Sequence, residues 1–383
     1  MSSFSNLDFS RGVNWVPATF ITLYQSILLL ALPFYFYYTP PSLGLILMTV
    51  LLISMTELSI TAGYHRLYSH RAYKANRFLE SVILFFSSMA MQGSALRWSY
   101  DHRIHHAFVD TDNDPYSINK GFLYAHCLWI LEKPRKIEDK VVSDLLSNPL
   151  VRLQHQWSVR LMILTNVLCF LAVGYFFSDY LGAFVMAVWF RLFVCHHFTW
   201  FINSLAHTFG SKPFSQEMTA VNNWLISLVT FGEGYHNFHH TFANDYRNGI
   251  RWYHFDPTKW LIFVLNKMGL AKDLKKMDPF AIQKKMITEG KCHLLTRLQE
   301  LWYVKKEEIE QEIQEVSDGI IAKINAMQDL KKRYLEAKSQ DDQRTLARDL
   351  KRQFKHLRKE LRAEWRRWKS LSSSIQKLKP LPI

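Results

Sequence analysis

The chain has 383 residues, 49% hydrophobic and 15% aromatic, with a formal charge of +14. That length suits one large domain plus an extension, and the composition excludes disorder, a collagen-like repeat and a disulfide-stapled mini-protein. Mean hydropathy is -0.09, but the average merges two opposed parts, long apolar runs within residues 13–240 and dense charge over 282–383. Four cysteines (Cys127, Cys169, Cys195, Cys292) are widely spaced with no CxxC, which argues against a disulfide framework and a thiolate zinc site. Sixteen histidines are the larger anomaly.

In chain order, residues 17–38 form the first uncharged run, about 22 residues long, which at 1.5 Å per residue matches a hydrocarbon core of about 30 Å. No basic cluster or small-residue cleavage site marks it as a signal peptide, and a second apolar run over 43–62 follows across the turn Thr39-Pro40-Pro41-Ser42. A second pair spans 161–177 and 181–201, joined by Ser178-Asp179-Tyr180. Neither short turn holds Lys or Arg, whereas Arg66, Arg71, Lys74, Arg77, Arg97, Arg103, Lys120, Lys133, Arg135 and Lys136 lie on the opposite side, so both termini and the central segment are expected to be cytoplasmic. Residues 78–96 are apolar but hold Glu80, several serines, Gln92 and Gly93. They read as an interfacial helix, because a fifth crossing would separate the histidines described next.

Three histidine clusters stand just beyond the cytoplasmic ends of apolar segments: His65 with His70, His102 with His105 and His106, and His236 with His239 and His240. Residues three and four apart share one face of a helix, so each HxxHH presents its imidazoles from one surface. The spacing of five between His65 and His70 corresponds to about 140° on an α-helix, so those two are expected to approach from different angles at a helix end. Eight imidazoles with little thiolate suit iron, copper or zinc and exceed the needs of one tetrahedral ion, implying two metals. His126, His155, His254, His293 and His356 read as ordinary polar residues, and His196-His197 lies within the fourth span.

The carrying text is Thr61-Ala-Gly-Tyr-His65-Arg-Leu-Tyr-Ser-His70-Arg-Ala-Tyr-Lys74, Trp98-Ser-Tyr-Asp101-His102-Arg-Ile-His105-His106, Asp112-Asn-Asp114-Pro115, Asn203-Ser-Leu-Ala-His207 and Gly232-Glu-Gly-Tyr-His236-Asn-Phe-His239-His240. In these segments the chain resembles the membrane fatty acid desaturases, most closely the acyl-CoA delta-9 branch, over about residues 13–270. The resemblance implies a non-haem di-iron centre held by His65, His70, His102, His105, His106, His207, His236, His239 and His240, with Asn203 supporting a metal-bound water and dioxygen as co-substrate. Asp101, Asp110, Asp112, Asp114 and Glu233 are candidates to orient these ligands. The resemblance further implies a bent acyl tunnel, with Gln92, Trp98, Thr199 and Trp200 at the bend, Ile53 and Glu57 at the turns that set its length, and Asp101 and Lys133 towards the carrier group. Tyr100 stands where an arginine is usual and Gly93 where an asparagine is, departures that Lys120, Arg135 and Lys136 could offset as point charges for phosphate.

A carboxylate inside a span is costly unless paired, and Arg191 on the fourth span is the expected partner of Glu57. Beyond residue 290, apolar positions recur at threes and fours from Ile309 to Tyr334 and from Leu346 to Trp365, predicting two amphipathic helices broken at Ser339-Gln-Asp-Asp342. This region holds about 22 basic and about 14 acidic side chains. Its basic face suits anionic lipid or an acidic electron carrier. No His-Pro-Gly-Gly haem motif occurs, so electrons are expected from a separate cytochrome b-type protein or a ferredoxin with its reductase.

The expectation is therefore an all-α integral membrane protein, with four transmembrane helices in two hairpins, a cytoplasmic His-rich di-iron cap over residues 1–280 and a helical or coiled-coil extension over 281–383. Its expected activity is oxygen-dependent introduction of a cis double bond into a fatty acyl chain carried on CoA or on a lipid. Membrane lipid is an expected partner and nucleic acid is not, and a bacterial inner membrane is favoured slightly over the endoplasmic reticulum. A related di-iron hydroxylase would use much the same ligands. A metal transporter would need polar residues along several spans, where only Glu57, Arg191 and His196-His197 could contribute.

Overall fold

The computed structural model describes residues 11–301, 306–340 and 343–378. It is built of helices, with one two-residue pairing of β1 (Lys74–Ala75) and β2 (Ala271–Lys272), antiparallel with Lys74 opposite Lys272. The chain divides into two compact units, Met1–Lys212 with Glu217–Lys276, and Pro213–Gln216 with Met277–Ile383.

Four helices of the first unit are long and apolar enough to cross a membrane: α1 (Trp15–Tyr38), α2 (Leu43–Ser69) and, later in the chain, Ser158–Phe177 and Tyr180–His207. They form two hairpins. The first turn is fixed by Ser42, whose side chain accepts from Leu45 N at 3.2 Å. The second is fixed by Asp179, which accepts from Gly182 N at 2.7 Å after Ser178 takes a left-handed conformation (φ 52°). Leu23, Leu30 and Phe34 of α1 and Val159, Ile163 and Phe176 of the third span stay exposed, as residues facing hydrocarbon would. The protein is an integral membrane protein.

Helix α3 (Arg77–Met89) begins at Asn76, whose side chain accepts from Leu79 N at 2.9 Å. Its 13 residues reach only about 20 Å, short of a crossing. One face (Leu79, Ile83, Leu84, Ser87) is buried and the other (Phe78, Val82, Phe85) exposed, as the interfacial reading expects. It stops earlier than the apolar run suggests because Met91 and Gly93 both take positive φ, 53° and 84°. The packing of α3 on α2 is close: a Cβ on Gly63 would lie 2.2 Å from Ile83 Cγ2. Gly63→Ala is therefore expected to destabilise the protein by about 1–3 kcal/mol. Thermal denaturation in detergent checks this, with Gly63→Ala/Ile83→Ala recovering part of the loss if the steric account holds.

The remaining helices of six residues or more in this unit are α4 (Ala95–Phe108), α5 (Pro149–Gln156), α6 (Ser158–Phe177), α7 (Tyr180–His207), α8 (Trp224–Val229), α9 (His236–Thr241) and α10 (Pro257–Lys267). Ser94 caps α4 by accepting from Arg97 N at 3.1 Å.

In the second unit three helices, α11 (Pro279–Gln299), α12 (Lys306–Lys338) and α13 (Arg344–Lys377), share one core. The two long helices fall where the apolar periodicity places them, and Ile313, Val316, Ile320, Ile324, Leu350 and Leu361 are buried. The third, α11, adds Phe280, Ile287, Leu294 and Leu298 to the core, and Trp368 packs against Gly290, where a Cβ would meet its ring at 3.0 Å. Lys323 pairs with Glu364 at 3.0 Å, and Arg367 with Glu315 at 3.1 Å. Of the expected break at 339–342, Asp341 and Asp342 lie outside the described residues.

Candidate metal centre

All nine histidines singled out by the sequence converge. The last ten residues of α2, Ile60–Ser69, wind as a π-helix. Its hydrogen bonds run from each N–H to the fifth residue before it, and His70 N donates to His65 O at 3.1 Å. That winding brings the residue five positions on nearly over the first, so the ring centroids of His65 and His70 come within 4.8 Å, edge to face at 87°, and approach from different angles as expected. The 140° separation expected of an α-helix is thus corrected by the wider turn, while the placement of His70 at the helix end is as expected.

The histidines fall into two groups, His65, His70, His102, His106 and His239 in one, and His105, His207, His236 and His240 in the other, with ligand atoms within 4.8 Å of each other in each group. Each HxxHH divides between them: α4 gives two imidazoles to the first group and one to the second, and α9 the reverse. Neighbouring Nε2 atoms stand 2.8 Å apart for His70 and His102, 3.0 Å for His65 and His239, and 3.0 Å for His236 and His240. Ligands about 2.0–2.1 Å from one ion at right angles would be about 3 Å apart, so these spacings are those of a coordination polyhedron. Burial, reinforced by the neighbouring imidazoles, pushes His70, His102, His106, His236, His239 and His240 well below the usual histidine range. They stay neutral and keep their lone pairs, as ligation requires. The residues fit a metal cofactor.

Behind the ligands stand the groups that orient them. His105 Nδ1 lies 2.9 Å from Asp114 Oδ1, His65 Nδ1 3.0 Å from Glu233 Oε2, His102 Nδ1 3.1 Å from the Tyr116 hydroxyl and His207 Nδ1 2.7 Å from Thr219 Oγ1. Thr219 N donates in turn to Asp110 Oδ2 at 2.7 Å. Asp114, Glu233 and Asp110 thus join the site, whereas Asp101 is held by Arg97 and Asp112 is exposed. Tyr116 and Thr219 carry no sequence signal of their own, being single residues in loops.

Arg66 is buried next to His65. Its guanidinium donates to Glu233 Oε1 at 2.8 Å and to Asp256 Oδ2 at 3.2 Å, and Asn248 Nδ2 donates to Glu233 Oε2 at 2.5 Å. Burial alone would raise Glu233, but the charge of Arg66 and the hydrogen bonds from His65 and Arg66 outweigh it and hold the carboxyl down at about 2. Gly232 is obligatory beside this network, with φ 104° and room for no Cβ, which would meet Asp256 Oδ1 at 2.5 Å.

A cavity of about 620 Å³ adjoins the cluster. Gln92, Trp98, Asp101, Lys133, Thr199, Trp200 and Asn203 all line it, whereas Ile53 and Glu57 do not. Gln92 Nε2 donates to Thr199 Oγ1 at 2.8 Å. Two wall residues touch the histidines: Trp98 stacks on His102 at 5.0 Å and Tyr116 on His105 at 4.5 Å. The wall also carries Arg11, Arg97, Lys133 and Arg135 together with the apolar Phe20, Ile21, Met162 and Ile163. Arg11 pairs with Glu132 and Arg97 with Asp101.

The expected Glu57–Arg191 pair is not formed. Arg191 donates instead to Asn166 Oδ1, to Met89 O at 3.0 Å and to Ala187 O at 2.7 Å. The reason is that α3 ends against it, and a helix C-terminus offers carbonyls with no partner of their own. Glu57 is buried beside the Cys195 thiol. His196 lies between the Tyr24 hydroxyl and Ala90 O, and His197 beside His126, so neither joins the two groups.

A fatty acid desaturase family model matches residues 17–268. The chain is 44% identical to acyl-CoA desaturase 1 of Saccharomyces cerevisiae over 65% of its own length and 50% of that protein's. It is 41% identical to a probable acyl-CoA desaturase of Schizosaccharomyces pombe over 73% and 58%, and 33% identical to an sn-2 palmitoyl-lipid 9-desaturase of a Nostoc species over 70% and 93%. It therefore spans about half to three fifths of the two yeast proteins. With four apolar spans, two histidine groups at their ends and a family match over most of the first unit, the chain belongs to the fatty acid desaturases.

Proposed function

We propose that the chain is an oxygen-dependent acyl desaturase that introduces a cis double bond, at or near the delta-9 position, into a saturated fatty acyl chain. The observation that carries this reading is the cavity whose wall residues Trp98 and Tyr116 lie directly on His102 and His105. We assign the five-histidine and four-histidine groups to two irons, with Asn203 supporting a bound water. Bound there, the irons would supply the oxidising power, drawn from dioxygen, two external electrons and two protons, that removal of two hydrogens from an unactivated methylene pair demands, with two waters as the by-product.

The chain's own residues place the substrate. Trp98, Trp200, Phe20 and Ile21 pack the alkyl part and exclude water, and the Gln92–Thr199 hydrogen bond stiffens the wall at the bend. Among the wall's cations, Arg11 and Arg97 are held by carboxylates, which leaves Lys133 and Arg135 to meet the phosphates of an acyl-CoA. The carrier is assigned as CoA on that basis and on the likeness to the yeast acyl-CoA desaturases. Asp114, Glu233, Tyr116 and Thr219 keep the ligating rings oriented. Electrons come from a separate carrier on the cytoplasmic side, where the positive-inside charge pattern places the cap. Activity is assigned to residues 1–280, with 281–383 as an appended helical module.

Fatty-acid profiling of desaturase-deficient cells tests the reading, comparing the wild type with a His105→Ala/His106→Ala variant and locating double bonds by mass spectrometry. The expected result is a new monounsaturated acid made only by the wild type. Accumulation of a hydroxylated acid in its place would make the protein a hydroxylase.

A further inference from the structure

The outer face of α13 carries a charge pattern that neither the fold nor the reaction uses. Its core-facing row, Ala347, Leu361, Trp368 and Ile375 with the partly buried Phe354, repeats every seven residues. On the opposite side Arg348, Arg352, Lys355, Lys359, Arg362, Arg366 and Lys369 follow one another at alternating steps of four and three. They form one stripe of exposed cations about 32 Å long. No carboxylate interrupts it. Arg352 has Asp349 at 3.6 Å, and the other six make no ion pair among the described residues. Like charges at these spacings weaken a helix. Elsewhere the same bundle pairs its charges, as Arg367 does with Glu312 and Glu315 and Lys323 does with Glu364. The unpaired row is thus not a requirement of folding.

We propose that this stripe binds the anionic headgroup surface of a membrane. A straight ridge on a convex helix meets a plane along its whole length. A globular acidic protein would be gripped by a patch broad in two directions, whereas the row on one side of the stripe, Asp349, His356, Ala363 and Ser370, adds no Lys or Arg, and the row on the other adds only Lys351 and Arg358 before it reaches the core-packed Trp365. The stripe contains no aromatic residue, so it offers nothing on which a nucleic-acid base could stack. It contains no aliphatic residue either, so it engages headgroups without entering the hydrocarbon. Polybasic segments next to a membrane are attracted to acidic lipid. Here the stripe is joined covalently to a membrane-spanning unit, which keeps lipid at high effective concentration. The inference needs only that the chain is a membrane protein and is independent of the reaction it catalyses.

The test uses the full-length protein in nanodiscs of zwitterionic lipid, alone or with about 30 mol% phosphatidylserine. Amine-reactive footprinting is read at Lys355, Lys359 and Lys369, with the exposed Lys331 and Lys332 of α12 as internal references. Labelling of the three stripe lysines is expected to slow about fivefold in the acidic discs, and to recover at about 0.5 M salt as the attraction is screened. In Arg352→Glu/Lys359→Glu/Arg366→Glu the slowing at Lys355 and Lys369 is expected to vanish, with helical content unchanged by circular dichroism. Equal labelling in the two lipids would overturn the proposal. So would slowing that appears in zwitterionic discs only after an acidic soluble protein is added, which would assign the stripe to a protein partner.

Discussion

Arg66→Met is expected to be the most damaging single substitution in the first unit. The guanidinium is buried and neutralises two buried carboxylates at once, Glu233 at 2.8 Å and Asp256 at 3.0 Å. Removing one partner from such a set leaves uncompensated charge in a place where water cannot reach it, a loss of about 3–5 kcal/mol. The damage extends to the metal centre, because Glu233 also meets His65. Without the cation, burial dominates and Glu233 takes up a proton. Metal affinity is then expected to fall about 10- to 100-fold, the scale seen when a ligand's orienting partner is lost. Thermal denaturation in detergent and metal content after mild chelation measure the two effects separately. Glu233→Gln is expected to lower metal retention with a smaller stability loss, since it removes one charge of the set without stranding the guanidinium, which keeps Asp256.

The second large effect concerns the two histidine groups. His106→Ala removes a ligand from the group of five, and His240→Ala one from the group of four. On the proposed assignment of one iron to each group, each is expected to abolish desaturation, since that reaction would need both metals. Iron per chain is expected to drop from about two towards one, as a lost ligand weakens only its own group. Exposed His356, which pairs with Glu360 on α13, serves as the control, and His356→Ala is expected to keep full iron and activity. Iron analysis of the purified variants decides the matter: an unchanged iron content in His240→Ala would remove the four-histidine group from the assignment.

Much of this was legible in the sequence, for identifiable reasons. Long apolar runs announce membrane spans, and the four read as spans match α1, α2, α6 and α7. The HxxHH clusters are equally plain, since spacing of three and four needs no tertiary information. What escaped depended on local backbone or on distant packing. The π-winding of Ile60–Ser69 is not encoded in any simple periodicity, so the closeness of His65 and His70 was missed by an α-helical ruler, although their different angles of approach and the helix end between them were expected. The Arg191 partner was misjudged because α3 ends against that side chain, and the site where a helix stops depends on two positive φ angles at Met91 and Gly93. Arg66 finds its carboxylate partners far away in sequence, and Tyr116 and Thr219 are single loop residues whose contacts with His102 and His207 depend on how those loops fold. Helix α11 was legible in principle, because Phe280, Ile287 and Leu294 recur every seven residues.

The division of each HxxHH between the two groups has a consequence for how the centre behaves under load. His105 and His106 are consecutive residues that serve different groups, and so are His239 and His240. The spacing of the two groups is therefore tied to single peptide units within two helices, which leaves the backbone little slack between them. No carboxylate belongs to either group among the described residues, so there is no shifting acid to take up slack between them. Were each group to hold a metal, their separation would be anchored to the backbone of α4 and α9, and changing it would require the imidazole side chains to rotate or those helices to shift.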